Sequence, residues 1–282
     1  TGADMDNLAI VKETKEGFIV YCLATAGVRG NAQRMGVDKG LFVEMSSKNG
    51  TINIIILTNR KLSHGAMVRA VITATEAKSA ALQDLDVRST YTPLLNQATG
   101  TGTDSIIIIS GKGPLIKCTG GHCKMGELIA RAVKKAVTNA IVRQNQLTPS
   151  RNLQSRLTER GIGTFHLVKT ALSLYPEFIQ KKYPELEKRL EEELERELEY
   201  VNVAGLITAG LYLEDAASRG LVPGLQAEEY LKKSSHFQVG TILGRLSAQR
   251  IGGEAALPLF DQLTTQTSQS LKGLPLISVN LC

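Results

Sequence analysis

The sequence predicts a layered α/β domain with a mixed sheet over its first half, followed by an all-helical domain. Three observations carry that division. Strand-sized runs of β-branched residues alternate with helix-length stretches up to about residue 145. The segment 144–152 is polar, contains Pro149 and has no period, as a linker would. Beyond it every periodic stretch is helical. The expected domains are 1–145 and 153–282, and 282 residues suffice for two.

Residues 8–11 and 18–24 read as the first strands and 51–57 and 105–110 as the next, all rich in Val, Ile and Thr. Between the last two, residues 65–84 read as a helix whose apolar stripe is Val68, Val71, Ile72, Thr75 and Leu82. A second helix, 124–143, places Ile129, Ala132, Val133, Ala136, Val137, Ala140 and Ile141 on one face. Near-continuous isoleucine strands between amphipathic helices predict a sheet covered on both faces. In the second half Leu186, Leu190, Leu194 and Leu198 recur every fourth residue inside the charge-dense run 185–199. That run reads as a solvated helix laced with i,i+4 pairs. Residues 201–217 and 241–250 read as further helices, interrupted at 220–224.

Composition narrows the classes. With 43% apolar and 21% charged residues the chain is globular in type. Its longest apolar runs are strand-sized, short of the ~20 residues a spanning helix needs, so no membrane role is expected. The net charge of +6 is concentrated in residues 1–150, which hold 18 Lys and Arg against 11 Asp and Glu. A basic half attracts anions, but no basic cluster is interleaved with aromatics, so no nucleic-acid partner is expected. Cys22, Cys118, Cys123 and Cys282 lack C-x-x-C spacing and predict neither a disulfide framework nor a zinc site. A reducing cytoplasmic location fits that usage, and no signal peptide is visible in a chain that starts at Thr1. Homo-oligomerisation stays open.

The most informative stretch is Thr99, Gly100, Thr101, Gly102, Thr103 and Asp104, which runs directly into the strand at 105. The glycines are expected to supply positive φ and a close approach for ligand. The hydroxyls both donate and accept, and Asp104 offers a base or a positioning group. A dinucleotide fingerprint is excluded, because that motif follows a strand and opens a helix. The plain alternative is a tight turn before a strand.

Around this loop the chain resembles the adenosylcobinamide amidohydrolase family of corrinoid salvage. The matching blocks are Thr25-Ala26-Gly27-Val28 with Asn31-Ala32, then Gly50-Thr51-Ile52-Asn53-Ile54-Ile55, then Thr73-Ala74-Thr75-Glu76-Ala77-Lys78 with Ala81-Leu82. The Thr/Gly loop follows, and then Gly121-His122-Cys123-Lys124-Met125-Gly126-Glu127. The resemblance covers 1–143 and implies hydrolysis of the amide joining the corrin ring to aminopropanol, giving adenosylcobyric acid. The partner it implies is a corrinoid small molecule that brings its own cobalt; no motif for a tightly bound cofactor or a catalytic metal is seen in the residues, and none is expected.

Amide hydrolysis needs an activated nucleophile, donors for an oxyanion and an acid for the leaving amine. His122, at the predicted start of the second helix, is the leading acid–base candidate, with a surface loop histidine as the plain alternative. Asp104, Lys78 and Glu76 complete the catalytic candidates. Two apart on a helix, Glu76 and Lys78 do not face one another, and Lys78 either snorkels to solvent or is held inside by a carboxylate such as Asp104. Substrate contacts are expected from Thr99 to Thr103, from Lys124, and from Asn31 and Asn53 toward the corrin's peripheral amides. Cys118 and Cys123 invite a nucleophilic reading with His122, against which buried cysteine is the commoner role. Thr1 invites an N-terminal-nucleophile reading, against loss of upstream sequence.

The second half is reminiscent of the α-ribazole phosphatase and phosphatidylglycerophosphatase A group, a fusion known in corrinoid salvage as CbiS. Asn202-Val203-Ala204, Leu206 to Gly210, Gly252-Gly253 and Phe260-Asp261 carry it. The group's glutamate before the Gly-Gly pair falls on Thr241 here, so this half is expected to be structural or degenerate. Mg²⁺ is expected only if it is an active phosphatase. Two further readings stay open: a corrinoid-binding or remodelling protein without catalysis, and a bifunctional enzyme.

Overall fold

A computed structural model describes residues 2–40, 50–173, 175–232 and 238–262. Thr1 and Cys282 lie outside the described residues. The chain divides into two compact units, Thr1–Ser150 and Arg151–Cys282.

In chain order the first unit is β1 (Ala9–Lys15), β2 (Phe18–Ala26), β3 (Ala32–Gln33), β4 (Ile52–Thr58), β5 (Arg60–Leu62), α1 (His64–Asp84), β6 (Gly100–Thr101), β7 (Ser105–Ile109), β8 (Gly113–Ile116) and α2 (Lys124–Asn145). The main sheet has the order β1-β2-β4-β7. Its first two pairings are antiparallel and the third, β4 with β7, is parallel. The sheet is therefore mixed. Glu16 and Gly17 both take positive φ, the two-residue turn whose twist suits a hairpin, and this sets Lys15 opposite Phe18. The parallel pairing requires a crossover, which α1 supplies.

Both long helices lie on one face of the sheet. Along β4 burial alternates, with Ile52, Ile54 and Ile56 inside, and the same face takes Val20, Cys22 and Ala24 from β2. α2 packs across β1 and β2 and against α1, with Ile129, Ala132, Val133, Ala136, Val137, Ala140 and Ile141 all fully buried as the period predicts. Each of its large side chains contributes about 1.5–3 kcal/mol by burial. The opposite face is not covered by any described element of this unit. Ile10, Tyr21, Ile107 and Ile109 are exposed, Ile10 at 60%. The expectation of a sheet covered on both faces is thereby corrected. The isoleucine run of β7 is an alternation in which Ile106 and Ile108 pack on the core while Ile107 and Ile109 point away.

The stripe expected on α1 is corrected too. Ser63 caps the helix, its Oγ accepting from Ala66 N at 3.2 Å. The buried face is then Ala66, Ala70, Thr73, Ala74, Ala77, Lys78, Ala81 and Leu82, while Val68, Val71, Ile72 and Thr75 are exposed, Val68 at 65%. Small side chains let the helix axis approach its neighbours closely, so alanine rather than bulk marks the inner face.

The second unit is helical: α3 (Leu153–Glu159), α4 (Thr164–Ser173), α5 (Glu177–Lys182), α6 (Leu186–Glu199), α7 (Val201–Ala217), α8 (Ala227–Leu231) and α9 (Val239–Gly252). The four leucines of α6 form its inner side, Leu198 buried and the others half-buried. Gly220 and Gly224 both take positive φ in the break after α7. Among the described residues no helix is long and apolar enough to cross a membrane.

Candidate active site

The Thr/Gly loop is clamped from both sides. Gly100 and Thr101 form β6, which pairs antiparallel with Gln33 and Ala32 of β3. Ser79 of α1 donates to the Thr99 carbonyl at 2.9 Å, and Thr51 Oγ1 donates to the Thr103 carbonyl at 2.7 Å. Thr99 Oγ1 accepts from Met35 N at 3.0 Å. Asp104, at the end of the loop, is the acceptor on which these elements converge. Its carboxylate takes Thr101 Oγ1 at 2.6 Å, Thr101 N at 3.1 Å and Ile52 N at 3.2 Å, and it pairs with the Lys78 ammonium. The Lys78 and Asp104 side chains are 9% and 12% exposed. Lys78 is thus held inside by a carboxylate and does not snorkel. A carboxylate offers about four lone-pair directions, and here four donors of the chain itself occupy them.

Gly100 and Gly102 earn their place differently from expectation. Neither takes positive φ. A Cβ on Gly100 would meet Asp104 and Lys78, and one on Gly102 would lie 3.2 Å from Asn31 Oδ1. Close approach, not backbone handedness, requires them. Positive φ in this region is taken by Gly30, Gly36 and Gly50, and the Gly50 carbonyl accepts from buried Asn31 Nδ2 at 2.9 Å. Asn53 sits in β4 beside Ile52, on the face turned away from the helices. Thr51, Ser79 and Gln33 also build this site, although none is marked in the sequence by more than its place beside a candidate.

His122 and Lys124 are elsewhere. Thr119 Oγ1 donates to the Ala66 carbonyl at 2.6 Å, and Thr73 Oγ1 donates to the Thr119 carbonyl at 2.9 Å, so the loop before α2 lies on the N-terminal half of α1. Arg69 borders Gly120 and the His122 ring there. Nine residues separate Arg69 from Lys78, about 13 Å along a helix axis. The structure gathers Asn31, Thr99 to Thr103 and Asp104 around Lys78 in the C-terminal half of α1 and sets the Gly120–His122 turn beside Arg69 in its N-terminal half. Lys124 pairs with Glu127 at 2.6 Å in the first turn of α2, and Arg131 adds a second pair at 2.7 Å. The Lys124 hydrogen bond, with help from both cations, holds the Glu127 carboxyl below its usual range. Glu76 is exposed on the outer face of α1.

At the His122 end, Cys118 Sγ lies 3.8 Å from His122 Nε2. The Cys123 thiol and the Gly120 backbone support the Cys118 thiolate and lower its pKa, while the Cys123 thiol is raised. Cys22 is a buried core residue of β2 whose thiol burial pushes up to about 12.

In the second unit Asp261 pairs with Arg245 at 3.1 Å, Asp215 with Arg160 at 3.2 Å, and Glu214 accepts from Tyr230 at 3.1 Å. Among the described residues of this unit no three carboxylates are gathered closely enough to hold a metal ion together.

A family profile described as adenosylcobinamide amidohydrolase matches residues 1–149. Among curated proteins, an uncharacterized protein of Methanocaldococcus jannaschii is 47% identical over 161 residues, covering 52% of this chain and 63% of its own length. The adenosylcobinamide amidohydrolase of Methanosarcina mazei is 36% identical over 104 residues, covering 33% of this chain and 48% of its own. The chain therefore spans less than two thirds of either relative. No solved structure matches.

Proposed function

Because the chain belongs to the adenosylcobinamide amidohydrolase family, we propose that it hydrolyses the amide between the corrin ring and aminopropanol in adenosylcobinamide, releasing adenosylcobyric acid. The observation that carries this reading is the buried Lys78–Asp104 pair beneath a loop of threonines and glycines. In the proposed reaction water forms the new C–O bond, the C–N bond breaks, and the proton released by the water ends on the departing amine. The negative charge on the carbonyl oxygen falls to the Lys78 ammonium, whose fixed position in a poorly hydrated site makes it an effective stabiliser. Asp104 acts as a positioning residue that orients Lys78 and fastens the loop to Ile52. Exposed Thr103 and Gly102 face the corrinoid at the loop's outer side.

One observation favours a second reading. With its four acceptor directions occupied, Asp104 has no ready place for a proton from water, as suits a protein that binds corrinoid without cleaving it. Incubation with adenosylcobinamide, read by mass spectrometry for adenosylcobyric acid and 1-amino-2-propanol together, separates the two. Paired products that vanish in Lys78→Met establish hydrolysis at this site. A shifted corrinoid spectrum without products establishes binding alone, and neither response sinks both. For the second unit, Mg²⁺-dependent phosphate release from α-ribazole phosphate tests the bifunctional alternative.

A further inference from the structure

The loop before α2 holds three soft donors in one place. The donor atoms of Cys118, His122 and Cys123 all lie within 4.8 Å of one another, and among the described residues they are the one group of three or more His, Cys, Asp or Glu that converges in this way. Around a tetrahedral zinc ion, Zn–S bonds of about 2.3 Å and Zn–N bonds of about 2.0 Å imply ligand-to-ligand edges of about 3.5–3.8 Å. The 3.8 Å between Cys118 Sγ and His122 Nε2 is close to the S···N edge of about 3.5 Å.

The backbone that carries these side chains is pinned. Thr119 is fully buried and bonded to α1 through its hydroxyl and its carbonyl. Cys123 N donates to the Gly120 carbonyl at 2.9 Å, and Glu127 N donates to the Cys123 carbonyl at 2.9 Å. A Cβ on Gly126 would overlap the carbonyl oxygens of Thr119 and Gly120, so the loop is pressed onto the first turn of α2. Cys123 occupies the N-cap position of α2 yet makes no side-chain cap bond, which leaves its sulfur to other partners. Donors held convergent before any ion binds lower the ordering cost of binding one.

We propose that Cys118, His122 and Cys123 form a zinc site with an open fourth position. Two thiolates and an imidazole select a thiophilic ion over Mg²⁺ or Ca²⁺, and two thiolates balance the charge of Zn²⁺. His122 is exposed, so water or an incoming ligand reaches the fourth position. The site stands apart from Lys78 and Asp104 and does not depend on the reaction proposed for them.

The test uses the full chain, reduced and stripped with a chelator, then offered Zn²⁺ in competition with a chromophoric chelator and, separately, Co²⁺. Expected are one retained equivalent of zinc and a cobalt spectrum showing tetrahedral d–d bands with thiolate-to-metal charge transfer. Cys118→Ser and Cys123→Ser each weaken zinc binding about 100-fold or more, and His122→Ala about tenfold or more, with unchanged far-ultraviolet circular dichroism. Lys78→Met leaves zinc binding unchanged. No retained zinc, a cobalt spectrum without thiolate charge transfer, or affinity unaltered in the serine variants overturns the proposal. So does a Cys118–Cys123 disulfide that forms in preference to the zinc complex when both are on offer.

Discussion

Gly100 and Lys78 are packed so closely that a Cβ on the glycine would stand 2.7 Å from the lysine nitrogen, and 2.5 Å from an Asp104 oxygen. The smallest residue of the loop is therefore what admits the buried ammonium. Gly100→Ala should push Lys78 and Asp104 apart, costing about 1–3 kcal/mol as overpacking does. A displacement of about 1 Å at a reacting group also costs about 100-fold in rate. Thermal unfolding and the adenosylcobinamide assay check the two halves of this expectation; an alanine variant with native stability and activity would refute it.

The Lys78–Asp104 pair should show strong coupling. Removing one member leaves an uncompensated buried charge, at about 3–5 kcal/mol. Lys78→Met with Asp104→Asn should then cost clearly less than the two single changes added. A double-mutant cycle in urea measures this, and additivity would mean that the pair is solvated.

The two sides of α1 should respond oppositely to substitution. Ala74 is fully buried against the core, and Ala74→Leu should destabilise by about 1–3 kcal/mol. Ile72 is exposed, and Ile72→Ser should change stability by no more than about 0.5 kcal/mol. Equal effects at the two positions would show that the helix is rotated from the orientation described above.

Cysteine reactivity should divide by environment. Burial raises the Cys22 thiol to about 12, so at pH 7.5 almost none of it is thiolate. In metal-free folded protein, iodoacetamide should label Cys118 well before Cys22, and Cys22 should react only as the sheet opens. Peptide mapping over time reads the order.

Asp38 should act as an acid-sensitive fastener. Partial burial works against its charged form, yet donation from Ser89 Oγ at 2.6 Å, Arg34 N at 2.6 Å and Thr92 Oγ1 at 2.7 Å outweighs it, and its pKa is lowered. A carboxyl depressed in the folded state contributes stability that is present above its unfolded value, about 3.9, and lost as pH falls through the folded value. Hydrogen exchange at Arg34 and Tyr91 should accelerate below about pH 4 in the wild type, whereas Asp38→Asn should show the faster exchange already at neutral pH.

What could be read beforehand followed the strength of the hydrophobic signal. α2 was legible because bulky residues line its inner face, and the main strands because isoleucine and valine alternate along them. α1 was legible as a helix but not in its orientation, since its inner face is alanine while valine and isoleucine point outward. Burial of Lys78 against Asp104 is one of two readings that the sequence leaves open, and only the packed position of the pair decides between them. Asp104 and the threonine loop were visible from composition, but the contacts from Ile52, Thr51 and Ser79 come from elements distant in the chain. The meeting of Cys118, His122 and Cys123 was not legible, because a C-x3-H-C spacing converges only once Thr119 and Gly126 fold the loop back on itself.

The alanine face of α1 has one more consequence. A helix of 21 residues, roughly 32 Å long, seated so closely against its neighbours is a strut rather than a spring. Moving it as a body would carry Lys78 together with Ala66 and Thr73, which hold Thr119, so the two loops cannot be retuned separately by moving the helix. Adaptation near either must come from the loops that dock there, and the strut sets the spacing between the Asp104 loop and the Cys118–Cys123 loop.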